Sequence, residues 1–101
     1  MRLLGKKELR ALMEHKDSHL ISMYMPTEKA GREIRKNSIR YKNLLGEVEK
    51  QLNKTELSPK EISELLNPAH RLLQDSIFWQ YQSDGLAVFI TPQNFKFYRL
   101  P

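Results

Sequence analysis

The chain has 101 residues with 40% hydrophobic and 29% charged side chains and a formal net charge of +5, which fits one domain with a single core. The absence of cysteine excludes a disulfide framework, thiol catalysis and cysteine-ligated zinc. No run of residues approaches the roughly 20 apolar residues of a membrane span or forms a secretory signal, so we expect a cytoplasmic protein without a membrane partner.

The first two predicted elements are a short helix and a strand. Leu9, Leu12 and Met13 recur at helical spacing, which predicts a helix over residues 6–14. Residues 19–25 are mostly apolar at consecutive positions, and this pattern predicts a strand that is covered on both faces inside a sheet. Pro26 ends this strand, because proline has no amide hydrogen to donate to a neighbouring strand.

The longest predicted helix covers about residues 38–53, with Asn37 as its candidate N-cap. Gly46 lies inside it and costs about 1 kcal/mol relative to alanine. A close neighbouring element is one reason for such a glycine. The residues that form the apolar stripe of this helix are Tyr41, Leu44, Leu45, Val48 and Leu52.

Two proline-containing helix starts follow. Ser58 and Glu61 form a capping box around Pro59, in which each side chain satisfies a backbone amide of the other residue. Asn67 and Pro68 repeat the combination of cap and proline, which predicts a second short helix that extends to about residue 74. The two short helices and the long one before them predict a helical hairpin.

Two strands complete the predicted fold. A polar turn over residues 80–85 precedes an apolar strand at 86–90, and an alternating, half-exposed strand follows at 95–100. The predicted order is helix, strand, helix, helix, strand, strand. We therefore expect a single α+β domain over residues 1–101, with a small three-stranded sheet covered by an N-terminal helix and the helical hairpin.

A search for catalytic and cofactor motifs finds none. His15, His19 and His70 do not share a metal-ligand spacing, so no metal site is expected. The sequence contains neither a nucleophile-elbow motif nor a glycine-rich phosphate loop. We expect no enzyme activity within this segment and no cofactor.

The aromatic residues allow two interpretations. Phe78, Trp79 and Tyr81 could stack on nucleic-acid bases, as could Phe97 and Tyr98 on the last strand. The favoured interpretation is that Phe78 and Trp79 fill the end of the core. Phe97 and Tyr98 are neighbours on one strand and must face opposite sides of the sheet.

The positive charge is concentrated in one segment. Residues 28–42 contain six basic and two acidic residues, whereas the remaining 86 residues contain 11 basic and 10 acidic ones. A local basic excess indicates a phosphate-bearing partner better than a high overall charge does, although solvated helix starts are often basic without a partner. The candidate RNA- or ribosome-binding residues are Lys29, Arg32, Arg35, Lys36, Asn37, Arg40 and Lys42.

Five sequence blocks carry a family resemblance. They are Ile21-Ser22-Met23-Tyr24-Met25-Pro26-Thr27, Gly31-Arg32-Glu33-Ile34, Ile39-Arg40-Tyr41-Lys42-Asn43-Leu44-Leu45, Phe78-Trp79-Gln80-Tyr81-Gln82-Ser83-Asp84-Gly85-Leu86-Ala87-Val88-Phe89 and Tyr98-Arg99-Leu100-Pro101. In this order and spacing they resemble the N-terminal domain of bacterial proteins related to the archaeo-eukaryotic peptide-chain release factors. The resemblance covers about residues 20–101.

The resemblance implies a position in a longer protein. Members of this family continue with a ribonuclease-H-like domain and a domain that resembles a ribosomal protein, so we expect the chain to be a fragment. In the eukaryotic factors this domain reads the stop codon through an Asn-Ile-Lys-Ser loop, and Asn37-Ser38-Ile39-Arg40 occupies the comparable place here. The order of these four residues differs from that of the Asn-Ile-Lys-Ser motif. The Gly-Gly-Gln motif for peptidyl-tRNA hydrolysis belongs to the next domain and is absent from this chain.

Two functions are compatible with these observations. The first is an N-terminal recognition module of a release-factor-like, translation-associated protein, which binds the ribosome or structured RNA through the basic segment. The alternative is a protein-interaction module, in which the same segment docks on downstream domains of the same chain or on an acidic protein partner.

Overall fold

The fold was analysed on a computed structural model that describes residues 10–15, 19–29 and 35–101. Over these residues the chain forms an α+β domain, as predicted, with strands and helices both present. In chain order the elements are β1 (Arg10–His15), β2 (His19–Pro26), α1 (Arg35–Leu52), α2 (Pro59–Leu73), α3 (Ser76–Gln80), β3 (Gly85–Ile90) and β4 (Phe95–Leu100).

The strands form one antiparallel sheet in the order β1-β2-β3-β4. The three predicted strands are present as β2, β3 and β4, and both apolar strands, β2 and β3, lie in the interior of the sheet as expected. The register places Val88 of β3 opposite Met23 of β2 on one side and opposite Phe97 of β4 on the other. On the face opposite the core, the Tyr24 ring of β2 and the Phe89 ring of β3 pack 5.9 Å apart, centroid to centroid, so these strands carry apolar residues on both faces.

The predicted N-terminal helix is wrong over the part that the structure describes. Residues 10–14 belong to β1, which pairs with β2 and adds a fourth strand to the sheet, while residues 6–9 lie outside the described residues. In the register of the two strands, Ala11 pairs with Met23 and Met13 pairs with Ile21. The positions of Leu12 and Met13 in the sequence fit a helix as well as they fit a strand. Pairing with the edge of β2 favours the strand.

The core lies between one face of the sheet and the helices. Ile21, Met23 and Met25 of β2 alternate along the strand and are each at most 4% exposed. They pack in one cluster with the corresponding residues of β3 and the apolar stripes of the helices. The remaining core residues that alternate along β3 are Leu86, Val88 and Ile90.

The predicted helical hairpin is formed by α1 and α2. The Tyr41 hydroxyl near the start of α1 donates to the Ala69 carbonyl oxygen near the end of α2 at 2.9 Å. At the other end, Asn53 after α1 lines the same small cavity as Pro59 at the start of α2. The two helices are therefore antiparallel neighbours.

The capping box at the start of α2 is confirmed. The Glu61 amide donates to Ser58 Oγ at 3.1 Å, and the Ser58 amide donates to Glu61 Oε1 at 2.8 Å. The second predicted start is wrong, because α2 continues through Pro68 without a break. The apolar face of α2 stays buried on both sides of Pro68, and this packing outweighs the missing proline donor.

Phe78 and Trp79 fill the end of the core, which confirms the favoured interpretation of these aromatic residues. Both lie in α3, and the Trp79 ring packs 5.0 Å from the Tyr41 ring, centroid to centroid. Trp79 Nε1 donates to the Leu72 carbonyl oxygen at 2.9 Å, so the buried indole has its hydrogen-bond partner. Asp75 caps α3 by accepting from the Phe78 amide at 3.0 Å, a start that the sequence analysis missed.

Candidate functional site

The basic segment begins in the loop after β2, which is anchored to the segment before β3. Thr27 is 7% exposed, and its amide donates to the Asp84 carbonyl oxygen at 2.9 Å. Its hydroxyl donates to the Ser83 carbonyl oxygen at 2.6 Å. Both backbone and side chain of Thr27 therefore fix the direction in which the chain leaves the sheet.

Asn37 connects this loop to helix α1. Its Oδ1 accepts from the Glu28 amide at 2.8 Å, and its Nδ2 donates to the Glu28 carbonyl oxygen at 2.9 Å. The Asn37 side chain is fully buried. A side-chain amide has an acceptor oxygen and a donor NH2 group in one plane. It can therefore accept from the amide and donate to the carbonyl oxygen of the same residue, as the backbone of a neighbouring strand does.

This geometry corrects two predictions for Asn37. It is not the N-cap, because α1 already begins at Arg35. Its side chain also cannot contact RNA, because it is buried and bonded to the protein on both polar atoms. Asn37 acts as a positioning residue that holds the loop against the first turn of α1.

Arg40 lies beside this connection and interacts with the same loop. Its Nη1 donates to the Pro26 carbonyl oxygen at 3.3 Å and lies 3.4 Å from Glu28 Oε2. The Arg40 side chain is 30% exposed, so part of the guanidinium still reaches solvent. The charge of Arg40 is largely offset within the protein, and its first role is to hold the loop.

Lys29 is the next basic residue on the loop. Its Nζ lies 3.5 Å from Asp84 Oδ1, and both side chains are more than 60% exposed. An exposed ion pair of this kind contributes little to stability and is easily exchanged for another partner. Lys29 is therefore accessible, although Asp84 competes for its charge.

The remaining predicted cations that the structure describes lie on α1 itself. Arg35, Lys36 and Lys42 are exposed, and the first turn of α1 contains no acidic residue. Lys50 is exposed in the last turn and was missed in the sequence analysis. Lys50 follows Lys42 by eight residues, which places both near the same side of a helix. This spacing is the sequence signal from which Lys50 could have been predicted.

Two of the predicted RNA-binding residues are therefore not assigned to this exposed surface. Arg32 lies outside the described residues, and Arg40 faces the loop more than solvent. The structure brings together Arg35, Lys36 and Lys42, and we call these three residues with Lys50 the basic surface of α1.

The chemistry available at this surface is anion binding. Cations at exposed positions can bind phosphate groups. The nearby Tyr41 is buried, and burial raises the pKa of its hydroxyl well above the ordinary value. Over the described residues, no group of three or more His, Asp or Glu side chains is arranged to hold a metal ion.

Comparison with known proteins gives no family assignment. No protein-family model matches the chain, and no curated protein matches it. Among the helices of residues 35–101, none combines the length and the apolar character that crossing a bilayer requires.

Proposed function

We propose that this chain is the N-terminal recognition module of a bacterial release-factor-like, translation-associated protein in the cytoplasm, and that it binds the ribosome or structured RNA. The observation that carries the proposal is the basic surface of α1, with Arg35, Lys36 and Lys42 exposed in the first half of the helix. No acidic residue occurs between Arg35 and Lys42. The sequence resemblance supplies the family and the process.

Helix electrostatics support an anionic partner. The N-terminus of a helix carries a partial positive charge, which acidic side chains normally offset. In α1 the first turn contains Arg35 and Lys36 and no acidic residue. A phosphate bound there would meet the positive end of the helix, an interaction worth about 0.3–1 kcal/mol per charge at an exposed helix end.

The number of open cations predicts the salt dependence. Binding through phosphate contacts releases counterions, and the logarithm of the affinity falls with the logarithm of the salt concentration by about 0.7 to 0.9 per contact. Arg35, Lys36, Lys42 and Lys50 would together give a slope of about −3 to −4.

The test is co-sedimentation of the 101-residue chain with bacterial ribosomes over a salt series, for the wild type and for Arg35→Glu/Lys42→Glu. The matched control is Lys60→Glu/Lys96→Glu, which makes the same charge change at two exposed residues outside α1. We expect the first variant to fold normally, to bind at least tenfold more weakly at low salt and to lose about two units of slope. The control should bind within about threefold of the wild type.

Equal binding by both double variants would refute the proposal. The protein-interaction alternative also has a specific observation in its favour, because Tyr98 and Leu100 on the edge strand β4 are 51% and 37% exposed. Nuclease treatment separates the two. Capture of the chain by ribosomes or lysate that survives complete RNA digestion and depends on β4 would favour protein docking.

A further inference from the structure

Two residues on the exposed side of α1, Ile39 and Gly46, do not belong to the core formed by the described residues. Ile39 is 56% exposed, although it is a large apolar side chain. Gly46 is exposed in the middle of the helix, and a Cβ atom built on it would meet nothing within 4 Å. The close neighbour that we considered as a reason for this glycine is therefore absent from the part of the chain that the structure describes.

A glycine inside a helix lowers stability, because it restricts a flexible backbone and contributes no side-chain contact. The φ angle of Gly46 does not lie in the left-handed region, so alanine would fit the backbone there. Neither packing within the described residues nor backbone geometry thus accounts for Gly46. The space over Gly46 would let a partner approach the helix backbone closely.

The position of Gly46 relates it to the basic surface of α1. Arg35, Ile39, Lys42, Gly46 and Lys50 follow one another at intervals of four, three, four and four residues, which places them in one row along the exposed side of the helix. With a rise of 1.5 Å per residue, Gly46 lies about 6 Å along the axis from both Lys42 and Lys50. The row has three cations, and on the same exposed side Glu49 follows Gly46 by three residues, while Glu47 lies on the flank.

We propose that a strand of RNA backbone lies along this row and comes closest to α1 at Gly46, between Lys42 and Lys50. The missing side chain leaves room for the sugar-phosphate chain to touch the helix backbone, and the two lysines bind phosphates on either side. Ile39 contacts the apolar edge of a sugar or base at the N-terminal end of the row. Charge favours RNA over an apolar partner helix, because such a helix would leave the three cations of the row without counter-charges.

This inference rests on the proposed function and extends it from the helix start to the whole exposed side of α1. It makes an unusual prediction for one position. A larger residue at Gly46 should make the chain more stable and at the same time weaken RNA binding. A purely structural role for Gly46 would give a change in stability alone.

The test compares Gly46→Ala and Gly46→Gln with the wild type, because both raise helix propensity but only glutamine fills the space over the helix. Ser63→Gln places the same side chain at an exposed position of α2 and serves as the control. Binding is measured by fluorescence anisotropy with a labelled 20-base-pair RNA duplex and with a single strand of the same length. Stability is measured by thermal unfolding followed by circular dichroism.

We expect both Gly46 variants to melt several degrees higher than the wild type. Gly46→Gln should bind the preferred RNA at least tenfold more weakly, Gly46→Ala less than threefold more weakly, and Ser63→Gln like the wild type. If Gly46→Gln binds as tightly as the wild type while Arg35→Glu/Lys42→Glu does not, this inference is wrong and the proposed function stands. If the wild type binds neither RNA nor ribosomes, both fail. Weaker capture of a protein by Gly46→Gln, without any RNA binding, would assign the row to a protein partner.

Discussion

Replacing Asn37 tests whether one buried amide holds the loop after β2 against α1. Asn37→Ala removes both hydrogen bonds to Glu28, at 2.8 and 2.9 Å, and leaves the Glu28 backbone without these partners. A net contribution of about 0.5–1.5 kcal/mol per bond gives about 1–3 kcal/mol. The volume lost at a fully buried site adds to this, so we expect a total loss of about 2–4 kcal/mol in the free energy of unfolding.

A second substitution separates the two contributions. Asn37→Leu keeps approximately the same side-chain volume but offers neither donor nor acceptor to Glu28. If the hydrogen bonds dominate, it should cost nearly as much as alanine. Ser38→Ala is the control, because the neighbouring Ser38 makes only a 3.3 Å bond to the Arg35 carbonyl oxygen at an exposed position.

The assay is urea unfolding followed by circular dichroism, with the slope of free energy against urea used to check that two-state behaviour is kept. A loss of 2 kcal/mol in a domain of this size corresponds to a fall of about 8 °C or more in melting temperature. Stability of Asn37→Leu within about 0.5 kcal/mol of the wild type would refute the reasoning. Below its melting temperature, each Asn37 variant should retain the salt slope of wild-type RNA binding, because Asn37 contacts no phosphate.

Two further predictions concern the helical hairpin. Ser58→Ala should lower the free energy of unfolding by about 1 kcal/mol by removing the N-cap that Glu61 completes, whereas Ser63→Ala inside the helix should not, and equal melting of the two variants would contradict the cap. Tyr41→Phe should cost about 1 kcal/mol at pH 7 through loss of the bond to the Ala69 carbonyl oxygen. Because burial raises the pKa of Tyr41 in the folded state, the wild type should lose stability above about pH 10 relative to Tyr41→Phe, by about 1.4 kcal/mol per pH unit, and parallel pH profiles in chemical unfolding would count against the buried hydroxyl.

The elements that local patterns predict well are those whose local and tertiary preferences agree. The capping box at Ser58 is a contact between residues three apart, so its geometry depends on nothing distant in the sequence. The same holds for the apolar stripe of α1, because a helix buries side chains at regular intervals. The apolar runs of β2 and β3 also predict their interior places in the sheet.

The elements that were wrongly predicted depend on distant partners. Residues 10–14 form a strand because the edge of β2 accepts them, and the short apolar pattern there fits a helix as well as a strand. Asn67 and Pro68 have the sequence of a helix start, but α2 continues past them because Leu66 and Ala69 are buried against the core. In both cases tertiary packing overrides the local signal, which is worth about 1 kcal/mol or less per residue for the strand but about 3 kcal/mol for a proline inside a helix.

The basic segment shows why counting charges overstates the size of an interface. Seven residues were predicted to contact RNA, but Asn37 is buried, and Arg40 and Lys29 lie within 4 Å of Glu28 and Asp84 carboxylates. These residues look equivalent in the sequence, because the contacts that occupy some of them link distant positions, as Lys29 and Asp84 do across 55 residues.

The cations that a partner can reach are those that the fold leaves exposed. On α1 these are Arg35, Lys36 and Lys42, together with Lys50, which lies outside residues 28–42. Binding through these four exposed cations predicts a salt slope of about −3 to −4, whereas the six basic residues of segment 28–42 would give about −4 to −5. Lys50→Glu distinguishes these two surfaces. It should reduce the magnitude of the salt slope by about one unit, although Lys50 lies outside residues 28–42. An unchanged slope would confine binding to the start of α1.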